Sequence, residues 1–223
     1  MPNDRLSSAL SVEVTALREA GTDKGIETVI TGVEPAQGGL GPRLRLAGSD
    51  ERYLRMNSNS YLGLSRHPTV IDADEKATKE FGAGPGAVRF ISGTYQAHID
   101  LEGTLARFHG RAAAMAFSSA YATVLSTLTT LITPETVVLS DELNHNCIIN
   151  ALRLARPGAR EVYPHLDYSV LDAKLSEARG AGRRVIVVTD GVFSMRGDFA
   201  DLAALMDLAR AHDGHFEENV VVV

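Results

Sequence analysis

Two periodicities divide the chain. In the first fifty-odd residues Leu10, Val14 and Leu17 recur at helical spacing, after which "TGVEPAQGGLGP" interrupts regular structure with Gly and Pro. "RLRLAGSDERYLRM" then reads as two short strands around a polar turn. From "NSNSYLGL" onward, helical and strand-like patterns alternate. Pro68 stands where a first-turn proline is tolerated, and Val70, Ile71, Ala77 and Phe81 share one side of a helix that Gly82 ends. Leu101, Leu105 and Phe108 form another helical stripe. The apolar runs "TVVLS", "REVYP", "RRVIVVTD" and "NVVVV" follow, separated by helical patterns such as "SVLDAKLSEARG" and "DLAALMDLARAH". Runs of β-branched residues without polar alternation belong to strands covered on both faces. Strands alternating with helices predict βαβ units, an α/β fold and a mainly parallel sheet with flanking helices. "TVVLS", "RRVIVVT" and "NVVVV" are expected as its interior strands. Residues 1–56 read as an N-terminal extension and 57–223 as the main domain.

Composition narrows the function classes. The 44% hydrophobic content of 223 residues is enough for a sizeable core, and the pattern is that of a soluble globular chain. A net charge of -6 with no run of Lys or Arg argues against a nucleic-acid partner, which needs a basic face. No apolar run approaches the ~20 residues that span a bilayer, so no membrane role is expected. Cys147 is the single cysteine, which rules out an internal disulfide, and "MPNDRLSSAL" lacks the pattern of a signal peptide. A reducing cytoplasm is the expected location.

A parallel sheet places its working residues in the loops after its strands. "DELNHNC", with Asn144 and His145, follows "TVVLS", and "DGVFSMRGD", with Asp190, Ser194 and Arg196, follows "RRVIVVT". Both loops fall at one end of the expected sheet. Taken alone, His145 is also readable as a helix-start polar residue and Asp190 as a turn cap. In "FSSAYATVLSTL", Ser118 and Ser119 can cap the helix that follows, whose free N–H groups offer a site for an anion such as phosphate. "FGAGPGAVRFISGT" gathers Gly82, Gly84, Gly86 and Gly93 around Arg89, a density suited to tight turns or close backbone approach. No strand precedes it, so it does not fit the dinucleotide-binding pattern.

Taken in order, "N-x-YLGL", "G-x-G-x-V-R-F-I-S-G-T…H…LE", "FSSAY", "DELNH" and "TDGVFSM" resemble the α-oxoamine synthase family of pyridoxal 5'-phosphate (PLP) enzymes, within the aminotransferase class I/II superfamily. The resemblance covers residues 57 to 223 well and the first fifty loosely. It implies the PLP-dependent transferase fold type I, with 57–223 an incomplete PLP-binding large domain. The implied reaction is a decarboxylating condensation of an amino acid with an acyl thioester, carried on coenzyme A or an acyl carrier protein, in an enzyme that is a homodimer when complete. Position by position, it implies that Ser119, Ala120 and Tyr121 hold the cofactor phosphate through backbone groups. His145 matches a histidine stacked on the pyridine ring, and Ser194 a serine bonded to the phenolic oxygen. Asn59 matches an asparagine near the substrate carboxylate, and Arg89 lies in the glycine-rich stretch lining the substrate pocket. Asp190 stands where the family often has Glu; this shorter carboxylate is also seen in the ketobutyrate-ligase branch, and the residue is grouped with the catalytic residues. Arg196 replaces an acidic residue and reverses the local charge.

In the family, the strand matching "NVVVV" runs into "DD-x-H", whose aspartate pairs with the pyridine nitrogen, and a later lysine forms the Schiff base. Neither follows here, and Lys24, Lys76, Lys79 and Lys174 lie outside any matching motif. The expectation is therefore a fragment, inactive alone, of a PLP-dependent acyltransferase. The alternatives are a non-catalytic synthase-like subunit without the lysine, or an aminotransferase or lyase on the same fold.

Overall fold

The computed structural model describes residues 3–223. The chain forms two compact units, one ending at Pro85 and one running from Gly86 to Val223. In the first, helix α1 (Asp4–Glu19) precedes a three-stranded antiparallel sheet of β1 (Ile30–Glu34), β2 (Arg43–Leu46) and β3 (Arg52–Tyr53). The strands around the polar turn and the stripe through Leu10, Val14 and Leu17 thus form as the pattern requires. Helix α2 (Pro68–Phe81) starts at its proline and stops at Gly82, which takes φ 86°, a backbone region closed to most side chains. No residue of α1 or α2 is buried within the described structure.

The second unit opens with a wide helical turn at Arg89–Gly93 and helix α3 (Gln96–Phe108). Helix α4 (Ala120–Leu131), β4 (Thr136–Asp141), α5 (Asn146–Ala155), β5 (Ala159–Tyr163), α6 (Tyr168–Glu177) and β6 (Arg184–Val188) follow. A short hairpin of β7 (Val192–Phe193) and β8 (Asp198–Phe199), then α7 (Leu202–Asp213) and β9 (Val220–Val222), completes the order. The main sheet runs β5-β4-β6-β9 and every pairing is parallel.

Successive side chains of a strand point to opposite faces, and here each face has its own core. Val137, Leu139, Val185, Val187 and Val220 pack with Leu171 and Leu175 of α6 and Leu205 and Ala209 of α7. Val138, Ile186 and Val188 pack with Leu128 of α4 and Ile148, Ala151 and Leu152 of α5. The sheet is therefore the middle of three layers, which is why its strands carry unbroken apolar runs. β4 and β6 are interior strands, as expected. β9 is not: it pairs with β6 alone and lies at the sheet edge among the described residues. A valine run reports cover on both faces, which Val220 and Val221 have in the two cores, and says nothing about how many strands lie alongside.

Candidate active site

The carboxyl ends of β4 and β6 carry loops that lock onto each other. Asn144 is 4% exposed, and all of its side chain is engaged. Its amide donates to Ser140 Oγ at 3.0 Å and to the carbonyl of Val188 at 2.8 Å. Its Oδ1 accepts the backbone N–H of Asp190 at 2.9 Å. Asp190 returns the contact, its carboxylate accepting the backbone N–H of His145 at 2.7 Å. Each loop thus fixes the main chain of the other, and His145 is held at the meeting point.

His145 is also the N-cap of α5, its Nδ1 accepting the N–H of Cys147 at 3.1 Å. An acceptor Nδ1 on a neutral ring leaves the proton on Nε2, so the cap selects the tautomer. Cys147 Sγ lies 3.0 Å from the same Nδ1, and burial, aided by Asp190, keeps the thiol above its ordinary pKa. The helix-start reading of His145 is met, and the cap is what orients the ring.

A cavity of about 480 Å³ opens there, lined by Leu143, Asn144, His145, Asp190, Phe193 and Ser194 among others. His145, Asp190 and Ser194, singled out from two separate loops, meet in one lining. Asn146 and Arg196 line it too. His145 and Ser194 are exposed at the cavity while Asn144, which ties the two loops, is buried.

Ser119 begins α4 as its N-cap, with Oγ accepting Ala122 N–H at 3.1 Å and its carbonyl accepting Thr123 N–H at 3.0 Å. First-turn N–H groups have no partner one turn back, and those of Ala120 and Tyr121 find no acceptor among the described residues. Open N–H groups at a helix start are the geometry that suits an anion. Tyr121 connects it to the cavity: its hydroxyl accepts Asn150 Nδ2 at 2.7 Å, and the same amide reaches Asn146 Oδ1 at 3.1 Å.

Arg89 is committed to a partner within the second unit. Its guanidinium grips Glu102 of α3 on both oxygens, with the outer contact at 3.1 Å, and Glu102 also accepts the N–H of Ala116 at 2.8 Å. The bonds from Arg89 and then Ala116 outweigh the effect of burial and hold the Glu102 carboxyl at about 2. Asn59 lies in the first unit, exposed, in irregular chain ahead of α2.

Sequence reasoning passed over one cluster at this end of the sheet. His165, two residues beyond β5, sits with its side chain 8% exposed between Asp141 and Asp198. It too lies in a loop after a strand, which was the available signal, but no motif marked it.

The site's donors fit a PLP-sized ligand. Two unpaired helix N–H groups beside a serine suit a phosphate, and the adjoining cavity offers room for an aromatic ring between a histidine and a serine. None of the four lysines lines that cavity, and two of them are paired: Lys174 with Glu161, and Lys79 with Glu75.

Comparison with known proteins gives one direction. Residues 51–217 match the family model described as aminotransferase class I and II. Human mitochondrial 2-amino-3-ketobutyrate coenzyme A ligase is 44% identical over 205 residues, covering 92% of this chain and 47% of the relative. The 8-amino-7-oxononanoate synthase of Geobacter sulfurreducens is 41% identical over 208 residues, covering 93% and 50%. Among solved structures, serine palmitoyltransferase from S. paucimobilis with a bound PLP–myriocin aldimine superposes with a TM-score of 0.81 at 26% identity, over 98% of this chain and 52% of that one. The chain spans about half the length of the curated relatives it matches.

Proposed function

This chain belongs to the aminotransferase class I and II family and has the fold of PLP-dependent fold-type-I transferases; from that premise we propose that it carries the PLP-binding segment, residues 57–223, of an α-oxoamine synthase. The proposed reaction is the decarboxylating condensation of an amino acid with an acyl thioester on coenzyme A or a carrier protein. The observation that carries it is the reciprocal lock of Asn144 on Asp190 N–H and of Asp190 on His145 N–H, beside a cavity that His145 and Ser194 both line. The relatives named as coenzyme A ligase and oxononanoate synthase support the acyltransfer reading over simple transamination.

PLP, when bound, supplies an electron sink for negative charge developed at the amino acid's α-carbon. The chain's own residues do the rest. Ser119, Ala120 and Tyr121 bind the phosphate through the open first turn of α4. His145, its tautomer set by Cys147 N–H, presents its ring to the cofactor and carries a proton on Nε2. Ser194 offers a hydroxyl to the cofactor's phenolic oxygen. Asp190 holds the His145 main chain and so keeps that ring in place. Asn59 binds the substrate carboxylate. Arg89, held by Glu102, is the second substrate-binding residue of this proposal.

We further propose a homodimer acting in the cytoplasm. The acidic net charge of -6 and the single cysteine support that setting, and among the described residues no helix is long and apolar enough to cross a membrane. None of the four lysines is the covalent anchor in this proposal, since none lines the cavity. The deciding experiment is a thiol-release assay on the protein carrying this segment. Thiol should appear from acyl-CoA only when PLP and an amino acid are both present. Turnover that consumes a 2-oxo acid and releases no thiol would make the protein an aminotransferase instead.

A further inference from the structure

We infer that His165 is a positioning residue of this site: strapped as an imidazolium between Asp141 and Asp198, it fixes the hairpin that presents Ser194 to the cavity. The inference deepens the reading above and rests on it for the role of Ser194.

The protonation state follows from the bonding. His165 Nδ1 lies 2.9 Å from Asp141 Oδ1 and Nε2 lies 3.2 Å from Asp198 Oδ2. An ionised carboxylate only accepts, so both ring nitrogens must donate, and only the imidazolium can do that. Asp141 stays an acceptor because its oxygens also take the N–H groups of Leu143 at 2.9 Å and Leu166 at 3.0 Å. Asp198 accepts from Arg196 Nε at 3.0 Å as well. The result is a line of alternating charge, Arg196, Asp198, His165 and Asp141, in which every neighbour is of opposite sign. Burial opposes charge on His165, but the two carboxylates together outweigh it and place its pKa above the ordinary histidine value.

The strap acts on both sides of the Ser194 turn. Ser194 to Gly197 connect β7 to β8, with Arg196 and Gly197 N–H both donating to the Phe193 carbonyl at 3.1 and 2.8 Å. Asp198 begins β8 on the far side of that turn. On the near side, Phe193 packs edge-on against the His165 ring at 4.3 Å and 84°. Ser194, Met195 and Arg196, three of the four residues between the two anchors, line the cavity. The His165 backbone is itself pinned, its N–H reaching Glu142 at 3.0 Å. Leu166 beside it holds φ 56°, an unfavourable conformation for leucine, while donating to Asp141. The ionisable groups around the ring are thus Asp141 at the end of β4, Glu142 just after it, Tyr163 at the end of β5, and Arg196 and Asp198 on the hairpin. The Tyr163 phenol stays protonated, since burial and then Asp141 raise its pKa.

The test uses the full chain and needs no turnover. Nitrogen NMR of the His165 ring at pH 7 should show both nitrogens protonated in the wild type, and in Asp198→Asn the ring should titrate at lower pH. Hydrogen exchange of residues 191–200 should speed up about tenfold or more in His165→Phe, which keeps the ring and removes the donors, while residues 184–188 of β6 exchange as before. A neutral ring at pH 7 overturns the inference, as does unchanged exchange across 191–200. Equal acceleration in 184–188 also overturns it, because His165 would then support the fold at large. The ring measurement is made on the wild type, so the strap is judged even if His165→Phe does not fold. PLP titration of the wild type by absorbance judges the cofactor reading separately: no binding there sinks that reading and leaves the exchange and NMR results to decide the strap.

Discussion

Asn144→Ala removes the floor of the candidate site, and its cost can be built from the contacts. The amide makes three hydrogen bonds, to Ser140 Oγ, the Val188 carbonyl and the Asp190 N–H, at 3.0, 2.8 and 2.9 Å. A net value of about 1 kcal/mol per bond gives ~3 kcal/mol. Alanine leaves the Asp190 N–H and Ser140 Oγ without this partner in a place where Asn144 was buried, so the figure lies toward the lower end of the expected loss. For a chain of this size that corresponds to roughly 6–12 °C in the melting midpoint. The assay is urea denaturation followed by far-UV circular dichroism, with Ser140→Ala and the double variant completing a cycle. Ser140→Ala should cost about 1 kcal/mol and couple to Asn144→Ala by about the same amount, since one of the three bonds is shared. A loss below ~1 kcal/mol for Asn144→Ala, with no coupling to Ser140, would refute the claim that this side chain ties the two loops together.

Three further outcomes follow from other parts of the structure. Ser119→Ala should lower stability by about 1 kcal/mol through loss of the α4 cap and weaken PLP binding measured by absorbance titration; unchanged stability would mean that the Ala122 N–H is satisfied without it. Gly158→Ala would set a Cβ 2.1 Å from the Pro134 carbonyl oxygen, so a loss of roughly 2–4 kcal/mol in the same denaturation assay is expected, and a neutral effect would contradict the close approach of those backbones. The Glu102 pair has a defined acid limit. Because its folded pKa is depressed, its contribution is present above the ordinary value of 4.5 and is lost as pH falls through about 2. Carbon NMR of the Glu102 carboxyl should therefore show a midpoint near 2, and a midpoint near 4.5 would break the assignment of its bonds to Arg89 and Ala116.

How much of this was legible in the sequence depended on the range of the interaction. β4 and β6 could be read from their apolar runs because both faces are covered, and that pattern is local. The same logic placed His145 and Ser194 at one end of the sheet, since loops after parallel strands share an end. The valines of β9 report cover on both faces, which the strand has, but side-chain type does not encode how many strands lie alongside, and β9 pairs with β6 alone among the described residues. His165 escaped notice for a different reason. Its partners Asp141 and Asp198 lie 24 and 33 positions away and belong to different strands, so nothing in "YPHLDY" signals a charged line. Arg196 was noticed as a charge reversal, yet its pairing with Asp198 shows the charge absorbed within the hairpin. Arg89 was likewise read from its glycine-rich surroundings, while the residue it grips is thirteen positions on, in the next helix.

The crosslinks at the candidate site share an asymmetry. Asn144 holds the carbonyl of Val188 and the N–H of Asp190, and Asp190 holds the N–H of His145. In each case a side chain grasps a main-chain group, and a main-chain group persists whatever side chain its residue carries. One position, not two, is therefore answerable for each tie. Substitutions at Met195, on the rim, can alter what the cavity admits without loosening the ties beneath it. A scaffold joined in this way lets the rim of the cavity change by single steps while the main-chain geometry beneath it is inherited intact.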